Sequence, residues 1–354
     1  MRVTAVTIKQ FRCFESRSIL FNKPFCLISG PNGSGKTSLL EALYYACYLR
    51  SFRTRTTREL IGFDESAFSL KLQVEETGGL EKHAIVVGYS QEKRLIKVNE
   101  KPLTSYKELL NVYRVIALTG DDTALIKGAP ENRRHFLDQA IMLDSPEYLS
   151  FLKKYAGILL QRNALLSKPG MSRESYTLWT DQLTQASQII RERRLEMIPA
   201  LEAKVNELLK TYFDMPFAVR LVYKPKDALD AEANNFMYKE QAARYTLFGA
   251  HLDDYAIMLA DKTSKQYASK GQQKLIALLL KVAQPAAIRT ERPCIFVLDD
   301  LLSDFDNDKI RRVCALLASY KTQIIMTSPL EHPLLDEIES TYDCQRMAID
   351  RQDE

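Results

Sequence analysis

The sequence predicts an α/β fold in which a parallel sheet carries a glycine-rich phosphate loop, joined by an antiparallel β-meander and an inserted, mainly helical lobe. Three observations predict it. Residues 26–41 run from an apolar strand through a glycine-rich turn into a helix start. Near the other end, the apolar run Cys294–Leu298 closes on Asp299 and Asp300, as a buried parallel strand does when its C-terminal tip faces a ligand. Between them, from about Ser145 to Leu209, apolar residues recur at helical spacing.

The turn fills the pattern G-x-x-x-x-G-K-[ST] with Gly30, Gly35, Lys36 and Thr37. Glycines let the backbone turn its N–H groups inward around an anion, and the helix that begins near Lys36 adds unpaired amides and a positive dipole end. The loop Gly30, Pro31, Asn32, Gly33, Ser34, Gly35, Lys36, Thr37 and Ser38 is therefore the expected nucleotide cradle. Lys36 is placed to meet the β- and γ-phosphates as a point charge. Thr37 offers Mg²⁺ the hard oxygen it prefers.

Composition bounds the rest. A chain of 354 residues suggests about two domains, and 46% hydrophobic with 27% charged residues describes an ordinary globular protein. No run of eighteen apolar residues occurs and the N-terminus alternates apolar with polar residues, so neither a membrane span nor a signal peptide is expected and a cytoplasmic location is. The six scattered cysteines form no C-x-x-C pair, which argues for reduced thiols rather than disulfides or zinc. His251 and Asp253 have metal-ligand character, but no further ligands lie nearby and a structural role is favoured. A net charge of +4 permits a nucleic-acid partner without arguing for one.

In chain order, residues 2–9 and 19–29 read as a hairpin feeding the loop, and Leu39, Leu40, Leu43, Tyr44 and Cys47 place one helix face on the sheet. Arg50, Arg53, Arg55 and Arg58 then gather with hydroxyls and Phe52; composition leaves a solvated loop and a set of DNA phosphate contacts equally open. Three alternating segments between Ala67 and Val98 form the meander, with Gly78-Gly79 as a turn. Tyr113–Leu118 is a strand, Pro130 suits a first helical turn, and two helices follow with a break near Lys168. A strand at 217–223 precedes a polar stretch at 225–240 that is expected to be exposed. Ser269-Lys-Gly271-Gln272-Gln273 opens an apolar helix, a second glycine-containing anion site at a helix start. A last buried strand carries Thr327 and Ser328 at its tip.

A phosphate loop, then S-x-G-Q-Q before a helix, then a strand ending in Asp-Asp is the order of ATP-binding-cassette ATPases. The 263 residues from Lys36 to Asp299 imply a split ATPase, with halves expected at 1–122 and 246–354 and the helical lobe at 123–245. At this point the chain closely resembles the RecF family, relatives of the SMC ATPases, almost end to end. The matching features are Phe11-Arg12, the loop through Ala42, S-F-R-T at 51–54, G-x-P-x-x-R-R-x-F-L-D at 128–138, G-x-H-x-D-D at 249–254, S-x-G-Q-Q at 269–273 and L-D-D-x-x-S-x-x-D at 298–306. Two stretches depart: Leu118-Thr-Gly120-Asp-Asp replaces an F-x-P-type sequence, and Ala250 and Leu252 stand for a proline and a basic residue.

The resemblance implies ATP and Mg²⁺ as ligands, bound by the phosphate loop and capped by Ser269, Gly271 and Gln272 of a second subunit in a head-to-tail, ATP-dependent homodimer. It assigns Asp299 to Mg²⁺, Asp300 to the attacking water, Asp306 and Thr327 to sensing the γ-phosphate, and Arg12 to the nucleotide. It further implies a slow, DNA-dependent ATPase that clamps duplex DNA at single-strand gaps and works with RecO and RecR to load RecA in recombinational repair and the SOS response, in the cytoplasm at the nucleoid. The second reading is the nucleotide-binding subunit of a transporter. The F-R hairpin, the R-R-x-F-L-D segment and the long insertion count against it, and two helices of this length are too short for the long coiled-coil arm of an SMC protein.

Overall fold

The helix Lys36–Tyr48 is buried at every residue from Ser38 to Tyr48, because it runs between two sheets rather than against one. A helix with apolar residues all round its circumference needs such a place. One face was expected to pack; the second is covered by the meander. In the computed structural model the described residues are 1–350 without 77–80, 91–92, 104–105, 169–171, 228–232, 286–293 and 302–304. The expected turn at Gly78-Gly79, the break after Lys168 and Ser303 of the L-D-D-x-x-S motif lie outside them.

Two compact units emerge. Residues 1–122, 208–214 and 291–354 make the first, residues 123–207 and 215–290 the second. In the first, a five-stranded parallel sheet has the order Cys344–Ala348, Phe25–Ser29, Ile324–Ser328, Ile295–Leu298, Val115–Leu118. The middle three are buried throughout, which is why they read as continuous apolar runs. Across the helix lies an antiparallel sheet ordered Phe14–Leu20, Arg2–Phe11, Ala67–Glu75, Lys82–Ser90, Lys93–Val98, Lys101–Pro102. Its central strands alternate buried and exposed residues as one-sided sheets do. The buried amide of Gln323 ties the two sheets: its Oε1 accepts from Val3 N at 2.7 Å and its Nε2 donates to Val3 O at 2.8 Å.

The second unit joins the helices Pro130–Asp144, Tyr148–Leu166 and Arg173–Leu208 to a small antiparallel sheet of Val219–Lys224, Asp254–Leu259 and Lys262–Thr263. Pro130 is the first residue of its helix. Segment 246–290, expected to form part of the C-terminal ATPase half, belongs here instead. The reason is pairing: Asp254–Leu259 registers along Val219–Lys224, and the motif acids that precede and begin that strand are taken up by arginines of the helices. The 225–240 stretch also differs from expectation. A helix spans Ala233–Ala243, and its Glu240 is fully buried against Arg162, at 2.6 Å.

Candidate nucleotide-binding site

Three parallel strands bring their C-terminal tips together, the place where open α/β sheets bind ligands. Phe25–Ser29 leads into the phosphate loop, Ile324–Ser328 brings Thr327, and Ile295–Leu298 brings Asp299. Thr327 thus comes from the strand between the loop strand and the acidic strand. Gly33 and Gly35 take the left-handed φ values of 82° and 97°. A Cβ at Gly35 would also meet Phe14 Cζ at 2.7 Å and Cys13 Sγ at 2.9 Å. Gly35 caps the following helix without a side-chain hydrogen bond, leaving the first-turn amides to an anion.

Lys36 Nζ donates to the loop carbonyls of Gly30 and Pro31 at 2.6 and 2.9 Å. Burial lowers its pKa, opposed by the charges of Asp300 and Asp299. The Thr37 hydroxyl reaches both Asp299 oxygens, at 3.0 and 2.9 Å, and the Thr327 hydroxyl reaches Asp299 Oδ1 at 2.9 Å while accepting from the Asp300 amide at 2.9 Å. Burial pushes the Asp299 carboxyl above its ordinary value; the Thr327 and Thr37 hydroxyls pull it back, and the charge of Asp300 adds to the rise. A half-buried carboxylate beside a threonine hydroxyl, held by neutral donors, is a hard-oxygen set that fits Mg²⁺. The cleft these residues line has a volume of about 340 Å³ and is edged by Cys13, Asn32, Arg53 and Pro329.

Arg12 does not line it. Its guanidinium makes a two-toothed pair with buried Glu41, 2.8 Å on each side, and donates to Glu59 O at 2.9 Å. Hydrogen bonding to Glu41 raises the Arg12 pKa. The arginine that does line the cleft, beside Lys36, is Arg53, expected on DNA, and it lies 3.6 Å from the same Glu41. Sequence reasoning passed over Glu41. The available signal was a lone charge between Lys36 and Arg50 in an otherwise apolar helix. Ser51 also donates to Glu41 Oε1, so one buried acid organises the S-F-R-T segment.

The remaining expected residues lie elsewhere. Asp306 caps the helix Asn307–Ser319, accepting from Lys309 N at 2.9 Å and pairing with the Lys309 ammonium, and is not among the residues edging the cleft. In the second unit, Ser269 and Gln272 close a capping box on the helix Lys270–Ala283: Gln272 N donates to Ser269 Oγ at 3.2 Å and Ser269 N to Gln272 Oε1 at 2.8 Å. Ser269 and Gly271 are exposed, and a Cβ at Gly271 would meet nothing within 4 Å. Arg55 and Arg58 are exposed in the first unit.

The two arginine- and acid-rich motifs hold the second unit together. Arg133 pairs with Asp254 at 2.7 Å, Arg194 with Asp138 at 2.8 Å, and Arg191 with fully buried Asp253 at 2.8 Å. His251 meets the Tyr155 hydroxyl at 2.7 Å, and burial lowers its pKa. These contacts give His251 and Asp253 the structural role favoured from sequence.

A phosphate loop, an acid-tipped strand of the same parallel sheet and a separate S-x-G-Q-Q helix define an ATPase head of the ATP-binding-cassette class. The model for the RecF/RecN/SMC N terminal domain matches residues 2–348. The DNA replication and repair protein RecF of Ruminiclostridium cellulolyticum is 30% identical over 347 residues, covering 93% of each chain, and that of Acholeplasma laidlawii 32% identical over 341 residues, again 93% of each. The chain belongs to the RecF family of DNA replication and repair proteins. Among solved structures, the recombination mediator protein RecF-ATPrS in the RecFOR pathway superposes with a TM-score of 0.84 at 23% identity, covering 99% of this chain and 98% of that one. The Pyrococcus furiosus Smc head domain bound to the C-terminal domain of ScpA superposes at 0.54 and 16% identity, covering 98% and 93%. At these identities the likeness is one of fold.

Proposed function

We propose that the chain is an ATP-dependent, dimerising DNA clamp with slow hydrolysis. The observation that carries this reading is the convergence of Thr37, Thr327 and Asp299 next to Lys36. Lys36 leaves its loop carbonyls for the terminal phosphates, and the loop amides from Gly33 to Ser38 cradle the rest. Thr37 and Asp299 hold Mg²⁺, which as a Lewis acid draws charge from the phosphate oxygens. Asp300 orients the attacking water. Thr327, bonded to Asp299 and to the Asp300 amide, links the metal side of the site to the water side. Arg53 replaces Arg12 as the cation facing nucleotide, while Arg12 fixes the loop through Glu41.

Ser269 and Gly271 cap the γ-phosphate of a second copy in a head-to-tail homodimer, a role their exposure supports. Gln272 releases the capping box when they do, and Asp306 contributes as the cap of its helix. ATP binding closes the dimer on duplex DNA at single-strand gaps and hydrolysis opens it. The place of the structural relative in the RecFOR pathway supports RecO and RecR as partners in loading RecA, in the cytoplasm at the nucleoid. Sedimentation with and without ATP, Mg²⁺ and gapped duplex tests the whole reading. A shift from monomer to dimer that carries DNA only with ATP is expected; a species unchanged by ATP overturns it.

A further inference from the structure

The antiparallel sheet and the arginine segment frame a second cleft in the first unit, with a volume of about 520 Å³, lined by Thr56, Thr57, Arg58, Tyr89 and Arg94. We infer that this cleft is a backbone-phosphate subsite for nucleic acid, in which Arg58 and Arg94 take the phosphodiester oxygens.

Among the described residues, every lining side chain can donate a hydrogen bond and none is a carboxylate. Two guanidiniums facing one concavity repel each other unless an anion enters, so the arrangement is complementary to phosphate. Glu59, next to Arg58, is not among the lining residues and accepts from Thr54 Oγ1 at 2.5 Å. Arg94 is held in place, since its NH2 donates to Thr57 Oγ1 at 3.1 Å, which fastens the strand Lys93–Val98 to the 56–58 segment. Tyr89 lies directly across the strand pair from Arg94 and stacks on Phe68, ring centroids 6.1 Å apart, so the wall of the cleft is rigid.

The surrounding charge favours a polymer over a single free phosphate. The strand Lys93–Val98 carries Lys93, Arg94 and Lys97 with no acid, and residues 50–58 carry four arginines with none. One phosphate needs no such extended field, whereas successive phosphates along a strand use it. This inference rests on the DNA-clamp reading and adds the contact that reading lacks.

The test is fluorescence anisotropy of a mixed-sequence duplex with the full-length protein and ATP, repeated over a series of salt concentrations. Counterion release gives a log K against log salt slope of about −0.9 per phosphate neutralised. The Arg58→Gln, Arg94→Gln double variant should flatten the slope by about 0.9 if the two share one phosphate and about 1.8 if they take two. Arg94→Lys, which keeps the charge, should keep most of the slope, and a melting temperature equal to wild type certifies the fold of each variant. If wild type binds duplex but the double variant keeps its slope, the subsite is wrong and the clamp reading stands; if wild type binds no duplex, the clamp reading fails. Calorimetric titration with inorganic phosphate is the second arm. Binding lost in the double variant with an unchanged DNA slope would assign the cleft to free phosphate and overturn the inference.

Discussion

The Thr37 hydroxyl points at both oxygens of Asp299, 3.0 and 2.9 Å away, joining the phosphate-loop helix to the tip of a strand 262 positions along the chain. Thr327 approaches the same carboxylate from the strand between. In the proposed site these direct contacts give way to Mg²⁺ when nucleotide binds, so each member should affect affinity and turnover differently.

Lys36 is the first case. Its ammonium already sits on the loop carbonyls of Gly30 and Pro31, and among the described residues no other lysine lines the cleft. Charge-assisted hydrogen bonds contribute about 1.5–3 kcal/mol each, so Lys36→Met should weaken ATP roughly 100-fold and abolish ATP-dependent DNA binding. Lys36→Arg should retain part of the affinity with misplaced charge. Equilibrium binding of a fluorescent ATP analogue reads this directly; unchanged affinity in the methionine variant would remove Lys36 from the site.

Asp299 and Asp300 should separate binding from turnover. Asp299→Asn removes the carboxylate that Thr37 and Thr327 both address, so Mg·ATP should bind more weakly. Asp300→Asn should hold ATP, accumulate dimers and lower turnover about 100-fold or more, the scale of a lost general base. Parallel measurement of nucleotide affinity and single-turnover hydrolysis decides it. An equal loss of affinity in both variants would show the roles to be wrongly divided.

Arg12 and Glu41 make a structural prediction. The Glu41 side chain is fully buried and that of Arg12 is 19% exposed, and truncating one partner of a buried pair costs about 3–5 kcal/mol. Glu41→Ala should therefore lower the denaturation midpoint and loosen Arg53, which the same acid approaches at 3.6 Å. Urea unfolding followed by circular dichroism checks the first effect and the ATP affinity the second. Unfolding at the wild-type midpoint would mean that the acid holds nothing.

Much of this site is legible because it is local. The loop spacing from Gly30 to Thr37, the apolar strand before Asp299 and the hydroxyl at the tip of Ile324–Ser328 are runs of adjacent residues whose order announces their geometry. The Arg12–Glu41 pair is not local: it is set when the hairpin, the helix and the S-F-R-T segment fold onto one another, so the resemblance alone gave Arg12 to the nucleotide and composition left Arg53 open to DNA. Glu240 is hidden for a related reason. Its polar neighbourhood suggests exposure, and Arg162, 78 positions earlier, with the Tyr176 hydroxyl and the Leu247 amide, explains its burial. The small sheet at 254–263 was assigned to the wrong unit because strand pairing with 219–224 leaves no mark on composition.

Acid should weaken the second unit through Asp253. Burial alone would raise that carboxyl, but hydrogen bonds from Arg191, the Lys226 amide and Tyr223 hold it below its ordinary value of 3.8. A depressed folded pKa means that the unfolded chain binds the proton first as pH falls. The stabilisation is thus fully present above the ordinary value and lost as pH drops through the lower, folded one. Asp253→Asn should lower stability at neutral pH and flatten its dependence on pH below about 4. Thermal melts from pH 7 to pH 3 provide the comparison, and parallel curves for the two proteins would remove Asp253 as the source.

The shared site of the proposed dimer makes the strongest demand. Ser269 and Gly271 are exposed at the start of the helix Lys270–Ala283, where the capping box takes up the Ser269 and Gln272 amides. Ser269→Arg puts a bulky cation where a small hydroxyl has to approach phosphate. It should leave ATP binding by the monomer nearly intact while blocking dimerisation and hydrolysis. Mixed with Lys36→Met, it gives a sharper test: in a head-to-tail dimer the mixed pair carries both lesions at one site and leaves the other whole. Some ATPase should return on mixing, in proportion to the mixed dimers trapped by crosslinking. No recovery despite abundant mixed dimers would mean that the two sites work only together or that each chain completes its own. Normal hydrolysis by Ser269→Arg alone, as an ATP-bound dimer, would exclude the shared site outright.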